Sequence, residues 1–159
     1  MAQTVITQKD EGERHWFYGG GVHTWKVTAP QSDGSLLMFE DALVAGKRTP
    51  LHQHPESEET FVVLEGQILL HVDGEESELG PGAVAMVPRG VPHAFLVTSP
   101  TARLLCLMTP GCCQDFFLGA SYPLADDEVT GPVEIDRVMA SAQRTNGMVA
   151  LGPPPFGQP

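Results

Sequence analysis

Apolar and polar residues alternate along the middle of this chain in short runs, and turn residues separate the runs. Alternation with a period of two is typical of a β-strand with one buried face, whereas a helix repeats about every 3.6 residues. Asp73-Gly74, Gly80-Pro81-Gly82 and Pro88-Arg89-Gly90 have the composition of tight turns. The pattern therefore predicts an all-β domain of antiparallel strands, over residues 22–28, 35–43, 60–64, 67–72, 75–79, 83–87, 93–98 and 102–109.

The pattern changes after Pro110-Gly111. Residues 114–120 and 133–143 carry apolar side chains at helical spacing, and a loop with prolines and acids lies between them. We expect two short helices packed outside the β domain, followed by a Pro-rich extended tail on the surface. The predicted organisation is an N-terminal arm over 1–21, a β-barrel over 22–109, and a helical segment with the tail packed on the barrel over 110–159.

Composition and charge narrow the class of protein. Charged residues make up 18% of the chain, and its 17 glycines and 14 prolines suit short strands joined by turns. This composition excludes a coiled coil, a collagen and a disordered chain. The net charge of −11 repels phosphate backbones and anionic lipids, so we expect neither nucleic acid nor a membrane surface as a partner.

Hydropathy and cysteine content predict the cellular compartment. The longest apolar run, residues 104–108, is far below the roughly 18 residues of a membrane-spanning helix, and the first residues lack the apolar core of a secretory leader. Of three cysteines, Cys112 and Cys113 are adjacent, where a mutual disulfide would be strained. Because reduced thiols are typical of the cytoplasm, we expect a cytoplasmic protein with three free thiols.

Three histidines and one glutamate have the spacing of metal ligands. His52 and His54 are two residues apart, so on an extended strand both side chains point to the same face. Glu59 follows at the entry of the next strand, and His93 begins another. Imidazole nitrogens with one carboxylate oxygen suit Fe, Ni, Co, Zn, Mn or Cu. Four protein ligands leave open positions on a six-coordinate ion, so the set predicts one divalent transition metal at a centre that could be catalytic.

Two motifs of fixed spacing surround these residues: Gly46-(five)-His52-x-His54-(four)-Glu59-(six)-Gly66 and Gly82-(five)-Pro88-x-Gly90-(two)-His93. With every glycine, proline and ligand in register, they resemble the two motifs of the cupin family. The resemblance implies a double-stranded β-helix, which is a jelly-roll barrel, with the metal held inside it by the three histidines and the glutamate. One position departs from the family pattern, because Val97 stands where the second motif often has asparagine.

Looser patterns outside the motifs resemble the single-domain cupins of the quercetin 2,3-dioxygenase-like group: Trp16-Phe17-Tyr18-Gly19-Gly20, residues 37–40, Pro110-Gly111, Phe116-Phe117 and residues 152–155. This resemblance implies a metal-dependent dioxygenase that acts on a flavonol or a related enol or phenol, with dioxygen as co-substrate. Glu59 would then serve both as a ligand and as the catalytic base. Cupins also often form homodimers, to which residues 4–8 could add a strand.

Two other classes of function stay open on the sequence. A cupin can bind a metal or a small molecule without turnover, as a sensor or binding module. A sugar isomerase or epimerase is disfavoured, because a phosphorylated sugar needs several basic contacts and the chain has only nine Lys and Arg residues.

Other polar and aromatic residues near the candidate ligands are predicted to have structural roles or to face solvent. Glu59 is preferred to Glu58 as the ligand because only Glu59 keeps the six-residue spacing to Gly66, and Glu58 is expected to face solvent. His71 has no partner at ligand spacing and is predicted to be structural. We expect solvated turn arginines at Arg48 and Arg89, and core or interface aromatics at Trp16 and Trp25. The cysteines are expected to be structural, although Cys112 and Cys113 would be reactive if exposed. Apolar cavity walls are expected from Phe61, Val63 and Phe95.

Overall fold

The structure is a computed structural model that describes residues 1–124 and 134–157. Within these residues, twelve strands and two helices follow one another along the chain. The strands are β1 Arg14–Phe17, β2 Gly21–Val27, β3 Leu37–Val44, β4 Leu51–Gln53, β5 Glu58–Glu65, β6 Ile68–Val72, β7 Glu75–Leu79, β8 Val84–Val87, β9 His93–Val97, β10 Thr101–Thr109, β11 Tyr122–Pro123 and β12 Val149–Gly152. The helices are α1 Gln114–Ala120 and α2 Ile135–Thr145.

The strands form two antiparallel sheets. The larger sheet has the order β11-β1-β2-β3-β10-β5-β8, and the smaller one has the order β12-β4-β9-β6-β7. Buried and solvent-facing residues alternate along β3 and β10, as expected for strands with one face on a core. Side chains from both sheets meet in one cluster, including Phe39 and Phe61 from the larger sheet and Ile68 and Phe95 from the smaller. This is the predicted all-β jelly-roll fold with short C-terminal helices.

The predicted segments agree with the observed strands to within two residues at each end. Four strands were missed: β1, β4, β11 and β12, each of two to four residues. A segment that short shows too little of the period-two pattern to be distinguished from a loop. Strand β1 lies inside the stretch expected to be an arm, where it pairs with β2.

The C-terminal residues that the structure describes form both helices and the last two strands, and Phe116 and Phe117 of α1 belong to the core cluster. Helix α1 coincides with its predicted range, and α2 begins at Ile135, while Val133 and most of the loop before it lie outside the described residues. In the tail, β12 pairs with β4, and the Phe156 side chain is buried against the ring of His71. Within residues 1–124 and 134–157, no helix is long and apolar enough to cross a membrane.

Two motif glycines offer a matched test of the fold. Gly66 and Gly46 both have positive φ, 77° and 79°. A Cβ on Gly66 would overlap the carbonyl oxygen of Thr101 and lie 2.8 Å from Cα of Ala102, whereas a Cβ on Gly46 would meet nothing within 4 Å. Gly46→Ala is therefore expected to cost about 1–2 kcal/mol for the left-handed backbone alone. Gly66→Ala should cost roughly 2 kcal/mol more, because backbone must also move.

Urea unfolding of the two variants and the wild type measures this difference directly. Equal losses in Gly46→Ala and Gly66→Ala would contradict the packing described around the β5–β6 turn.

Candidate metal centre

Four buried side chains from both sheets converge at one place. His52 on β4 and His93 on β9 are direct partners in the smaller sheet. Glu59 reaches them from β5 of the larger sheet, and His54 follows immediately after β4. All four are buried, and one potential ligand atom from each lies within 4.8 Å of the others. The pairing of β4 with β9 thus unites the two motifs, which are far apart in the sequence.

Each of the three imidazoles is held by a backbone carbonyl at its Nδ1 atom. The acceptors are the carbonyl oxygens of Pro50 for His52 at 2.8 Å, of Gly147 for His54 at 2.6 Å, and of Val91 for His93 at 2.9 Å. Because a carbonyl only accepts, each Nδ1 must carry the proton. In a neutral ring with its proton on Nδ1, the Nε2 atom carries the lone pair through which histidine binds a metal.

The carboxylate of Glu59 lies beside two of these Nε2 atoms. Its Oε2 is 2.9 Å from Nε2 of His93 and 3.2 Å from Nε2 of His54. Burial by itself would raise the pKa of Glu59, but the charge and hydrogen bonds of His54 and His93 outweigh it and hold the pKa well below its usual range. Glu59 is therefore an ionised carboxylate at neutral pH.

The pKa values of His52 and His54 are shifted in opposite directions. Burial, and then repulsion by His93 and His54, lowers the pKa of His52 to about 3, so this imidazole is neutral. Burial also opposes a charge on His54, but the carboxylate of Glu59 and the hydrogen bond to it raise its pKa overall. Three imidazole nitrogens and one negatively charged carboxylate are donors that suit a divalent transition ion. This group of residues could hold a metal.

The centre opens into a cavity with aromatic walls. The cavity volume is about 50 Å³. Phe61 and Phe95 line it as expected, whereas Val63 packs in the core and is not part of the lining. The other aromatic walls come from distant elements and were not predicted from the sequence: Phe17, Tyr18, Phe39, Phe116 and Phe117.

Four further polar side chains line the same cavity: His23, Asp41, Lys47 and Thr49. The sequence contains a signal for two of them. Asp41 occupies an inward position of the alternating strand β3, and His23 does so in β2, so each is a polar residue in a register otherwise filled by core residues.

The comparisons with known proteins agree with the motifs and the topology. Residues 40–109 match the family model described as the cupin domain. The chain belongs to the cupin superfamily. Its fold also matches solved structures. KdgF from Halomonas sp. has 19% identity and a TM-score of 0.60 over 66% of this chain and 94% of that one. An RmlC-like cupin from Shewanella frigidimarina has 21% identity and a TM-score of 0.60 over 69% of this chain and 95% of that one.

Among curated proteins, this cupin is similar to quercetin 2,3-dioxygenase of Bacillus subtilis. The identity is 29% over 123 residues, which cover 76% of this chain and 36% of the enzyme. An uncharacterised protein of Aquifex aeolicus is 37% identical over 59 residues, which cover 37% of this chain and 49% of that protein. The cupin therefore spans only about a third to a half of the length of these two relatives.

The residues that were predicted from the sequence to be structural or solvent-facing lie outside the cluster of four candidate ligands. The carboxylate of Glu58 is partly exposed and is 3.4 Å from the guanidinium of Arg89. His71 lies on β6 next to Glu76 and the tail residue Phe156. Trp25 is a buried core residue. Among the described residues, these positions bring no additional metal-ligand atom to the cluster.

The thiols of this cupin should differ sharply in reactivity. Cys112 is exposed, whereas Cys106 and Cys113 are buried. Burial raises the pKa of Cys113 to about 12 and raises that of Cys106 well above its usual range, so neither forms the reactive thiolate at pH 8. A chromogenic disulfide reagent should therefore titrate about one thiol per folded chain and three after denaturation.

In Cys112→Ser the folded chain should give no rapid reaction with the reagent. A fast second thiol in the folded wild type would contradict the packing described around α1.

Proposed function

We propose that this cupin is a metal-dependent dioxygenase that acts on a flavonol or a related enol or phenol. The observation that carries the proposal is the convergence of three imidazoles and one carboxylate beside an aromatic cavity, which His52, His54 and Glu59 help to line. The similarity to a quercetin 2,3-dioxygenase over three quarters of the chain supports the same reaction class.

In this proposal His52, His54, Glu59 and His93 hold one divalent transition ion, which would be Ni, Fe, Co, Mn, Zn or Cu. When bound, the ion supplies a Lewis acid that lowers the pKa of a substrate hydroxyl. The carbonyls that fix each Nδ1 keep the three rings in one orientation. The protein thus contributes a rigid, preformed ligand set.

Glu59 is the group that accepts the proton of the substrate hydroxyl. It is ionised and buried, and it lines the cavity that the substrate would enter. Because the pKa of Glu59 is low, the transfer requires a substrate hydroxyl whose own pKa the bound ion would have lowered strongly. The deprotonated, electron-rich substrate is then open to attack by dioxygen, which leads to ring cleavage.

The aromatic walls bind the substrate and exclude water. Phe61 packs edge-on near both Phe95 and His93, with ring centroids 5.9 and 6.3 Å apart. Phe117 lies near His54 at 6.3 Å. Flat rings stack well on such walls, and a dry site strengthens the electrostatic effect of the ligands on the substrate.

The cavity is poorly suited to a phosphorylated sugar. Arg48 and Arg89 are absent from its lining, and among the described residues only Lys47 brings a cation into it. A sugar phosphate isomerase or epimerase would need several basic contacts. The remaining competitor is a cupin that binds its ligand without turnover.

Dioxygen consumption tests the proposal. The protein is purified without a chelating tag, loaded with each candidate metal in turn, and mixed with quercetin in an oxygen electrode. We expect uptake coupled to loss of the flavonol absorbance with at least one metal, and a strong decrease in Glu59→Gln that still holds the metal.

A contrary result is also defined. If quercetin raises the melting temperature of the protein but no oxygen is consumed with any of the metals, the dioxygenase proposal is wrong and a binding module is favoured.

A further inference from the structure

The cavity contains a second polar cluster apart from the four candidate ligands. His23 on β2 and Asp41 on β3 are direct partners in the larger sheet, and Lys47 follows the turn after β3. Their exposed fractions are 2%, 4% and 2%, yet all three line the cavity. We call these three residues the distal cluster. Three buried polar side chains at one place in an apolar barrel require a physical reason.

Two atoms of the distal cluster lack a hydrogen-bond partner among the described residues. They are Nδ1 of His23 and Oδ1 of Asp41. The contact between Nε2 of His23 and Oδ1 of Asp41 is 3.6 Å, which is too long for a hydrogen bond. Buried polar atoms in native proteins are nearly always paired, with protein, water or ligand. Atoms left unpaired in a cavity wall are therefore suited to pair with the occupant of that cavity.

Lys47 adds a positive charge to this cluster. Its ammonium donates a hydrogen bond to the carbonyl oxygen of Tyr18 and lies 5.0 Å from the centroid of the Phe17 ring. An ammonium has three N–H groups, so further donors remain beyond the one used on Tyr18. The cluster thus combines a cationic donor in Lys47 with an anionic acceptor in Asp41.

An aromatic side chain connects the distal cluster with the candidate metal centre. The ring of Phe117 is 5.7 Å from the ring of His23 and 6.3 Å from the ring of His54. The cavity therefore has two polar regions with an aromatic wall between them. A ligand that fills the space would be apolar in its middle and polar at both ends.

We propose that His23, Asp41 and Lys47 form a second subsite of the cavity, which binds a hydroxyl group at the end of the substrate remote from the metal centre. A hydroxyl can donate to Asp41 while it accepts from Lys47. A carboxylate in this position would be repelled by Asp41, and an apolar group would leave the polar atoms unpaired. Resting on the proposed function, this inference narrows the substrate class to a flat polyphenol with hydroxyls at both ends.

Two ligands separate the role of the distal hydroxyls from that of the metal centre. Quercetin carries additional hydroxyls on its outer rings, whereas 3-hydroxyflavone has only the flavonol hydroxyl. Binding is measured without oxygen, by fluorescence titration of the metal-loaded protein, so that no turnover is needed. The variants are Lys47→Met, which removes the ammonium but keeps a chain of similar length, and Asp41→Asn.

In both variants quercetin should bind about 10-fold more weakly, because Lys47→Met removes the donor and Asp41→Asn removes the charge that strengthens the acceptor. Affinity for 3-hydroxyflavone should change less than about twofold, and the metal content should equal that of the wild type. Lys26→Met is the matched control, since the Lys26 ammonium also donates to backbone carbonyls, those of Gln8, Lys9 and Glu11, but lies outside the cavity. It should leave both affinities unchanged.

Equal losses for the two ligands, or no loss for either, would overturn the subsite, because a purely structural or water-filled cluster does not distinguish them. A wild type that binds neither flavonol would overturn it too. Failure of the dioxygenase proposal has a different signature: quercetin would bind, with the selective loss in the variants, and no oxygen would be consumed. In that case the subsite stands as part of a binding protein.

Discussion

His54→Ala is expected to abolish stoichiometric metal binding. The wild type purified without a chelating tag should carry about one transition-metal ion per chain, and the variant less than about a tenth of that. The substitution removes one of three imidazoles and also the hydrogen bond that ties this ring to Gly147. Loss of an outer hydrogen-bond partner alone typically weakens metal binding about 10–100-fold, and loss of a ligand should weaken it more.

Elemental mass spectrometry of the dialysed proteins measures this effect. His71→Ala is a suitable control because His71 is a partly buried strand histidine outside the cluster of four. It should keep the metal. Circular dichroism establishes that both variants are folded. A His54→Ala protein that is folded and still holds one equivalent would contradict the assignment of the site.

Removal of the metal is expected to lower the melting temperature strongly. A ligand that binds only the folded state at about 1,000 times its dissociation constant adds roughly 4 kcal/mol to the free energy of unfolding. For a chain of this size, each kcal/mol corresponds to about 2–4 °C, so the expected shift is about 8–16 °C. The effect should be large here because the ligands come from both sheets and from the residue after β4. Such a set does not exist in the unfolded chain.

Differential scanning calorimetry with and without a chelator measures the shift, and re-addition of the metal should restore it. The same treatment should leave His54→Ala unchanged, since that variant has no metal to lose. A wild type that melts within about 2 °C of the same temperature in both conditions would contradict metal binding at a site shared by the two sheets.

The parts of the fold that were predictable are those with local signals. Strands β3 and β10 are long enough to show the period-two pattern, and the turns between strands are marked by glycine and proline. The four candidate ligands were also predictable, because their spacing relative to Gly46 and Gly66 is fixed within two short motifs. These features depend on neighbours in the sequence, so sequence reasoning could find them.

The remaining features depend on contacts between distant segments. The acceptor for Nδ1 of His54 is Gly147, which is 93 residues away. Strand β12 pairs with β4 although no strand was predicted between the second helix and the Pro-rich tail. The distal cluster exists only because the register of β2 and β3 places His23 beside Asp41. No period or motif encodes such contacts, which are set by the way the sheets pair and pack.

Anomalous diffraction from a crystal of the wild type tests the central claim most directly, with data collected at the absorption edge of the metal found by mass spectrometry. We expect one strong peak among the Nε2 atoms of His52, His54 and His93 and the carboxylate of Glu59. The absence of a peak at that position in metal-loaded crystals, or a peak at another place in the chain, would contradict the account.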